Sequence, residues 1–462
     1  MRGSSLAQAG QAVAPGQAAG SAPSRDAGRW LLPAGAAVLA VVLAVYVADL
    51  VHHLPAMTGL RDLVVYRDGG LIVRHVSPPY LPNRYTPLYS WQGSNGVTFT
   101  YSPFAAIVFA AGSLLPWTAL RWAMTLASLA ALAVTVWLTF GALGYPDRRA
   151  RAGATMLVCS AALLTEPVQQ NLALGQINVL LMLLVALDLL LPKRHWWSGA
   201  GIGIAAGIKL IPLIFIPYLL LTRQFRRAAV AVATFAGTVI IGFVIMPHDS
   251  SKYWLHGMFL KANRIVFLGT RGNQSLRGII TRFDGSVAAA NIPWLAVACA
   301  VAVLGLLAAA ALYYAGHPVE GMLACALTGL LVSPLSWDHH WVWVALGIAL
   351  LAHRAVRARG PARAGWSAAA AGLLLVFGAW PQFWDRSQGL TPAGLIWYGP
   401  TQYFVYGDNP AYHEYHWNGL QILFGNAFVL AGLIGLAGLV AAAVRLRQPG
   451  LAVLRQALGG RR

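Results

Sequence analysis

The sequence is poor in charge. Only 10% of its 462 residues are Asp, Glu, Lys or Arg, and only 14 are acidic. An average soluble domain carries about 25% charged residues, so a chain of this length has too few to cover a water-facing surface. With 58% hydrophobic residues, neither an ordinary soluble enzyme nor a disordered protein fits. Cysteine is scarce as well. Cys159, Cys299 and Cys325 lie inside apolar runs without paired spacing, which excludes a disulfide scaffold and a cysteine metal site. No Walker loop, dinucleotide fingerprint or Ser-His-Asp signature stands in a supporting context. Polar residues are nearly missing from the centres of the apolar runs. A solute or lipid transporter, the non-enzyme alternative, needs polar groups near the bilayer midplane between repeats.

What is present is a series of apolar runs of membrane-spanning length, punctuated by basic clusters. A net charge of +19 can mean nucleic acid, but in this composition basic residues mark cytoplasmic loops, and no nucleic-acid partner is expected. The clusters fall at 148–151, 193–194, 223–227, 354–363 and 445–462. Keeping them all inside predicts an all-α polytopic membrane protein of about twelve spans, both termini cytoplasmic. Its external loops cover about 52–118, 247–292 and 382–419. Residues 1–28, rich in Ala, Gly, Ser, Pro and Gln, predict a disordered cytoplasmic tail; 29–445 form one transmembrane domain and 446–462 a basic cytoplasmic tail. Ser102–Leu115 is apolar but short and reads as re-entrant or juxtamembrane. Ser198–Leu221 must start and finish inside. Lys209 and Pro212 interrupt it, so it reads as a hairpin of two short helices.

On this thread the reactive side chains gather outside. Nine of the 12 histidines, and most acids, sit in external loops or at outward span ends. That favours an enzyme at the outer membrane boundary acting on a lipid-borne substrate. Asp62 and Asp68 follow the first span closely. A carboxylate there can deprotonate an attacking hydroxyl, or merely pair with Arg61 and Arg67 at the surface. The Pro78-Pro79-Tyr80 and Arg84-Tyr85 stretches, with Phe99 to Phe104, suit an interface platform, with Tyr101 a candidate ligand contact.

Glu166 to Asn178 holds five amides and one acid in thirteen residues. Amides donate and accept, which suits sugar hydroxyls, so Glu166, Gln176 and Asn178 are candidate contacts; helix capping and interhelical bonding are the alternative. Lys209 stands alone inside an apolar run, where a charge points to function unless it snorkels to the interface. The second external loop is basic on the wrong side for positive-inside bias, which calls for an anionic ligand. Asn273, Gln274 and Arg277 are singled out within it. Asp338-His339-His340 ends one span and begins the next. Neighbouring residues on a helix point about 100° apart, which argues against one metal ion held by both histidines and for a histidine that donates to phosphate or developing charge.

Taken in order, Asp62-Leu-Val-Val-Tyr66, Phe99-Thr-Tyr-Ser-Pro103, Gly175-Gln-Ile-Asn178, Gly207-Ile-Lys209-Leu-Ile-Pro212, Asn273-Gln-Ser-Leu-Arg277 and Ser333 to His340 resemble glycosyltransferase family 87. The likeness is to its actinobacterial polyprenol-phosphate-mannose-dependent α-mannosyltransferases, of the C-type glycosyltransferase superfamily, and covers roughly 30–445. The resemblance implies a C-type glycosyltransferase fold with juxtamembrane helices in the first external loop and an outer-face active site in the plasma membrane. It implies a polyprenyl-phosphate-mannose donor and a mannosylated glycolipid acceptor of phosphatidylinositol mannoside or lipomannan type, joined with α-1,2 linkage and inversion. By position, Asp62 is the expected general base, Tyr66 in the same block is a candidate substrate contact, and a histidine of the 338–340 block takes part. Lys209, Arg277 and the histidines are candidates for the leaving phosphate. A lipid monophosphate needs no metal to chelate two phosphates, so no cofactor or metal is expected. A polyprenyl-phosphate-arabinose-dependent arabinofuranosyltransferase is the nearest rival.

Overall fold

The computed structural model describes residues 25–53, 60–76, 87–89, 98–191, 195–262, 265–379, 394–399, 409 and 411–459. Most of the expected N-terminal tail lies outside these residues. So do Pro78-Pro79-Tyr80, Arg84-Tyr85 and most of the third external loop.

Among the described residues the chain is helical. In order, the helices are α1 (Arg25–His53), α2 (Arg61–Val73), α3 (Pro103–Gly112), α4 (Trp117–Ala142), α5 (Arg148–Leu163), α6 (Glu166–Leu174) and α7 (Asn178–Leu190). Then follow α8 (Ala200–Ile208), α9 (Phe215–Leu221), α10 (Phe225–Ile245), α11 (Pro247–Ser250), α12 (Leu276–Asp284), α13 (Asn291–Tyr314) and α14 (Pro318–Val332). Last come α15 (Val344–Arg357), α16 (Gly360–Phe377), α17 (Gly419–Gly425) and α18 (Ala427–Gly459). Helix is the expected answer in a bilayer, because it satisfies every backbone group within one segment.

Five stretches are long and apolar enough to cross a membrane: Arg29–Ala48 within α1, α4, α10, α13 and Ala427–Leu446 within α18. A sixth is added if α6 and α7, bent by 114° to one another, count as one span. Several other expected spans are interrupted. Residues 154–170 break at Thr165, 198–221 break at Lys209, and the stretch after Asp338 opens as a 3-10 helix, Asp338–Trp343. Broken helices at membrane depth survive only where protein or a cavity surrounds them. The breaks at Lys209 and Asp338 line one cavity, as does Gln176 at the α6–α7 bend, whereas Thr165 is buried in protein.

The 198–221 segment explains how Lys209 gets there. Gly199, Gly203 and Gly207 lie against Arg227, Ala231 and Thr234, and Thr238 in turn, so α8 runs alongside α10 in the same direction. A Cβ on Gly203 would stand 2.6 Å from the Ala231 carbonyl oxygen. Small residues every fourth position let the two backbones approach this closely. After Lys209 the chain forms a 3-10 turn, Ile211–Ile214, and returns as α9. Arg227 closes the hairpin, donating to the Leu191 carbonyl at 3.2 Å and to Gln224 Oε1 at 2.9 Å. Lys209 therefore sits at the far tip, where α8 ends.

Two further elements shape the site. α3 is ten residues long, about half the hydrocarbon thickness at 1.5 Å per residue. It is capped by Ser102, which accepts from Ala105 N–H at 3.2 Å, and it packs on α2, where a Cβ on Gly70 would meet the Phe109 carbonyl oxygen at 2.5 Å. The Gly272–Gln274 strand-like turn bonds to Ser336–Asp338: Gln274 N–H donates to Ser336 O at 2.7 Å and Asp338 N–H to Gly272 O at 3.0 Å. The loop before α12, the expected second external loop, is thus tied to the start of the 3-10 helix.

Candidate active site

The bend between α6 and α7 is the pivot. Gly175 ends α6 with φ +67°, and a Cβ there would stand 2.7 Å from that of Leu63 on α2. Only glycine accepts both the left-handed backbone and the close contact. The bend throws Gln176 across to α2, where its amide N–H donates to the Asp62 carboxylate. A carboxylate only accepts, so the amide oxygen must face the other way. There it accepts from the Tyr66 hydroxyl at 2.8 Å, with the Tyr101 hydroxyl 3.2 Å from it and 2.8 Å from Tyr66 Oη. Gln176 therefore holds a carboxylate on one side and two phenols on the other, that of Tyr66 buried and that of Tyr101 on the cavity wall.

Asn178 makes the next connection. It donates to the His339 carbonyl at 3.0 Å and accepts from Lys209 Nζ at 2.7 Å. Lys209 Nζ lies 2.7 Å from His340 Nε2. As an ammonium Lys209 has no acceptor, and in that form the His340 proton belongs on Nδ1; burial pulls the Lys209 amine down to about 7, against the charge of Asp62. Lys209 also stands 5.5 Å from the centre of the Tyr101 ring. Beside it, Asp338 Oδ1 accepts from His339 N–H and from His339 Nδ1–H, each at 2.9 Å. That leaves His339 Nε2 buried with no partner among the described residues.

These groups share one cavity of about 930 Å³. Asp62, Tyr101, Gln176, Lys209, Asp338, His339 and His340 form its polar end, and Ile211, Ile214, Phe259, Leu260, Val332 and Leu335 an apolar flank. Burial raises the Asp62 carboxyl above its usual range, against the charges of His339 and Lys209 and the Gln176 bond. Burial also acts to raise Asp338, but the bonds and charge of His339 overcome it and hold Asp338 below its usual range. Burial pushes both the Tyr66 and Tyr101 phenols up, so they remain neutral donors. The outcome is a poised carboxylate facing an imidazole that a second, firmly ionised carboxylate orients.

The structure sorts the remaining candidates. Asp68 is buried and off the cavity wall, because six residues on a helix turn a side chain through about 240° from Asp62. Tyr66 reaches the site only through Gln176 and Tyr101. Glu166 is buried behind the cavity; its Oε1 accepts from Trp397 Nε1–H at 2.8 Å, and its carboxyl faces Asp338. Asn273 and Gln274 are fully buried and turned to backbone. Asn273 donates to the Leu268 carbonyl at 2.9 Å and accepts from Ser336 N–H at 3.1 Å, and Gln274 donates to the Arg271 and Gly425 carbonyls at 2.7 and 2.8 Å. Arg277 lines the cavity but contacts Asn291 and Trp294, not the Lys209 group. The sequence reading did not single out Gln170, Trp337 or Trp294, all of which line the wall. Trp337 lies beside the Asp338 block, and its ring stacks 6.1 Å from His339, but adjacency alone gave no sign of its direction. Among the described residues no three His, Cys, Asp or Glu side chains converge as a metal set.

A family profile described as Glycosyltransferase family 87 matches residues 99–334. Asp62 and the Asp338-His339-His340 block lie outside that stretch. A Mycobacterium tuberculosis (strain ATCC 25618 / H37Rv) protein named polyprenol-phosphate-mannose-dependent alpha-(1-2)-phosphatidylinositol mannoside mannosyltransferase is 34% identical over 256 residues, covering 53% of this chain and 60% of that relative. A second, from Mycobacterium tuberculosis (strain CDC 1551 / Oshkosh), is named polyprenol-phosphate-mannose-dependent alpha-(1-2)-phosphatidylinositol pentamannoside mannosyltransferase. It is 35% identical over 378 residues, covering 78% of this chain and 84% of that relative. A Corynebacterium glutamicum alpha-(1->3)-arabinofuranosyltransferase is 29% identical over 219 residues, 46% of this chain and 49% of its own length. No solved structure matches.

Proposed function

The chain belongs to glycosyltransferase family 87, and from that premise we propose that it transfers mannose from a polyprenyl-phosphate-mannose donor to a mannosylated glycolipid of the phosphatidylinositol mannoside type, forming an α-1,2 bond with inversion. The names of its mycobacterial relatives support donor and acceptor. Five apolar spans and the family support a multi-pass membrane enzyme. The proposal extends to about twelve spans in a single transmembrane domain, cytoplasmic tails, and an active site on the outer face of the plasma membrane.

In the proposed reaction the acceptor hydroxyl attacks the anomeric carbon of a β-linked mannosyl phosphate. Its proton passes to Asp62, the carbon–oxygen bond to phosphate breaks, and polyprenyl monophosphate departs. Inversion gives the α product. Gln176 aims the Asp62 carboxylate, and burial lifts its affinity for the proton it must take. Lys209 keeps at least one N–H beyond those given to Asn178 and His340. It and His339 Nε2 are the groups for negative charge growing on the leaving phosphate. Asp338 fixes the His339 tautomer by accepting its Nδ1–H. Asn178 ties Lys209 to the His339 backbone, so both phosphate-directed groups move together. His340 holds Lys209 in place.

The observation that carries the reading is the Asp62 carboxylate, held by one amide and sharing one cavity with a lysine and two histidines. The test is transfer from polyprenyl-phosphate mannose to defined glycolipid acceptors in vesicles, wild type against Asp62→Asn. Loss of a general base costs on the order of 10²–10⁴-fold. Full activity in the variant would remove Asp62 from that role. The weaker match to an arabinofuranosyltransferase motivates the second reading, a polyprenyl-phosphate-arabinose donor. It prevails if wild type uses that donor and not the mannose one.

A further inference from the structure

Arg277 is a cation without an anion. It stands in the first turn of α12 and lines the cavity. Its NH2 donates to Asn291 Oδ1 at 2.6 Å, and its guanidinium carbon lies 4.8 Å from the centre of the Trp294 ring. Among the described residues no carboxylate forms an ion pair with it. Among the described residues its buried Nε has no acceptor, and neither has Trp294 Nε1. Burial pulls the guanidinium pKa down, with no opposing charge. A half-buried charge in this condition is costly unless a ligand completes it.

Its place says which ligand. Trp294 occupies the first turn of α13, a 24-residue span of mean hydropathy 2.7. On the proposed topology that turn lies at the outer membrane surface, the level of lipid headgroups and of indole rings. Lys209 and the histidines are a different cluster on the same cavity, facing Asp62. The proposed reaction brings in two phosphorus-bearing lipids: a donor whose phosphate must leave opposite the base, and an acceptor whose phosphodiester stays in its headgroup while its glycan reaches inward. Two cationic groups serve two phosphates.

We propose that Arg277, Asn291 and Trp294 form a second anion subsite of the cavity, which takes the lipid phosphodiester of the acceptor rather than the phosphate of the donor. Arg277 supplies charge and planar N–H donors, Trp294 carries the guanidinium on its face and offers an indole N–H, and Asn291 sets the fork. The assignment rests on the glycolipid-mannosylating reading given above.

The test compares two acceptors with one mannose donor: a phosphatidylinositol mannoside, and an alkyl dimannoside without phosphate. In the full chain in nanodiscs, Arg277→Gln is expected to lower the kcat/KM ratio of the phosphate-bearing over the neutral acceptor about tenfold, the scale of one charge-assisted bond, with the donor KM unmoved. Arg277→Lys, which keeps the charge and loses the fork, recovers part of the ratio. Equal losses with both acceptors, or a rise in donor KM, overturn the assignment. A second measurement needs no turnover: retention of phosphatidylinositol over phosphatidylcholine by the purified chain in native mass spectrometry. Retention that falls in Arg277→Gln supports the subsite even if wild type proves unable to use a mannose donor, an outcome that would sink the functional reading alone. Retention indifferent to Arg277 overturns the subsite.

Discussion

Replacing Gln176 by Met tests the centre of the site without touching a titrating group. The side chain is buried, and among the described residues it bridges Asp62 to Tyr66 and Tyr101. Its N–H donation favours the ionised form of Asp62, so its loss removes a charge-assisted hydrogen bond of roughly 1.5–3 kcal/mol. One pKa unit is about 1.4 kcal/mol, so the Asp62 pKa should rise by about one to two units. The sign follows from the role: a base works only when ionised, and burial already raises this carboxyl. The acidic limb of the kcat/KM profile for transfer should therefore move to higher pH by the same amount. Well above the new limb, activity should recover most of the way, apart from a loss for misorientation. The assay is transfer in vesicles across pH, with thermal unfolding in detergent as a control for the phenols, which lose their shared acceptor. A profile that falls equally at every pH, with the acidic limb unmoved, would refute the view that Gln176 acts through the ionisation of Asp62.

Two other substitutions probe the frame. Glu166 faces the ionised Asp338, and two carboxyl groups in contact cannot both carry charge. Glu166→Gln keeps a donor toward Asp338 and should retain most transfer, whereas Glu166→Ala leaves the Trp397 N–H without its acceptor and should lose about tenfold. If Gln proves as damaging as Ala, Glu166 works as an ionised group instead. Gly175→Ala places a Cβ in left-handed backbone and against Leu63. It should lower the unfolding temperature by a strain of about 1–3 kcal/mol and reduce transfer, since Gln176 is the next residue. An unchanged melting curve would count against the bend as a strained pivot.

The membrane class was legible in the composition, because a chain with so few charges has no other way to bury its surface. The blocks that line the site were legible too: Asp62, Gln176-Asn178, Lys209 and Asp338-His340 all stood out as polar groups at the ends or breaks of apolar runs. Even the Lys209 hairpin followed from the need to return Arg223 and Arg227 to one side. Direction was not legible. Asp62 and Asp68 are equal as letters, and only helix phase turns one to the cavity. Asn273 and Gln274 have the composition of ligand contacts, yet both are spent on backbone groups: Asn273 donates to the Leu268 carbonyl and accepts from Ser336 N–H, and Gln274 donates to the Arg271 and Gly425 carbonyls. Arg277 shares their block and faces the cavity instead. The decisive bonds join residues far apart in the chain, Gln176 to Asp62 across 114 positions and Lys209 to His340 across 131. Local pattern carries the period of a helix and the place where it breaks. Which broken ends meet, and which way their side chains then point, depends on packing between segments, and that was decided only in the folded chain.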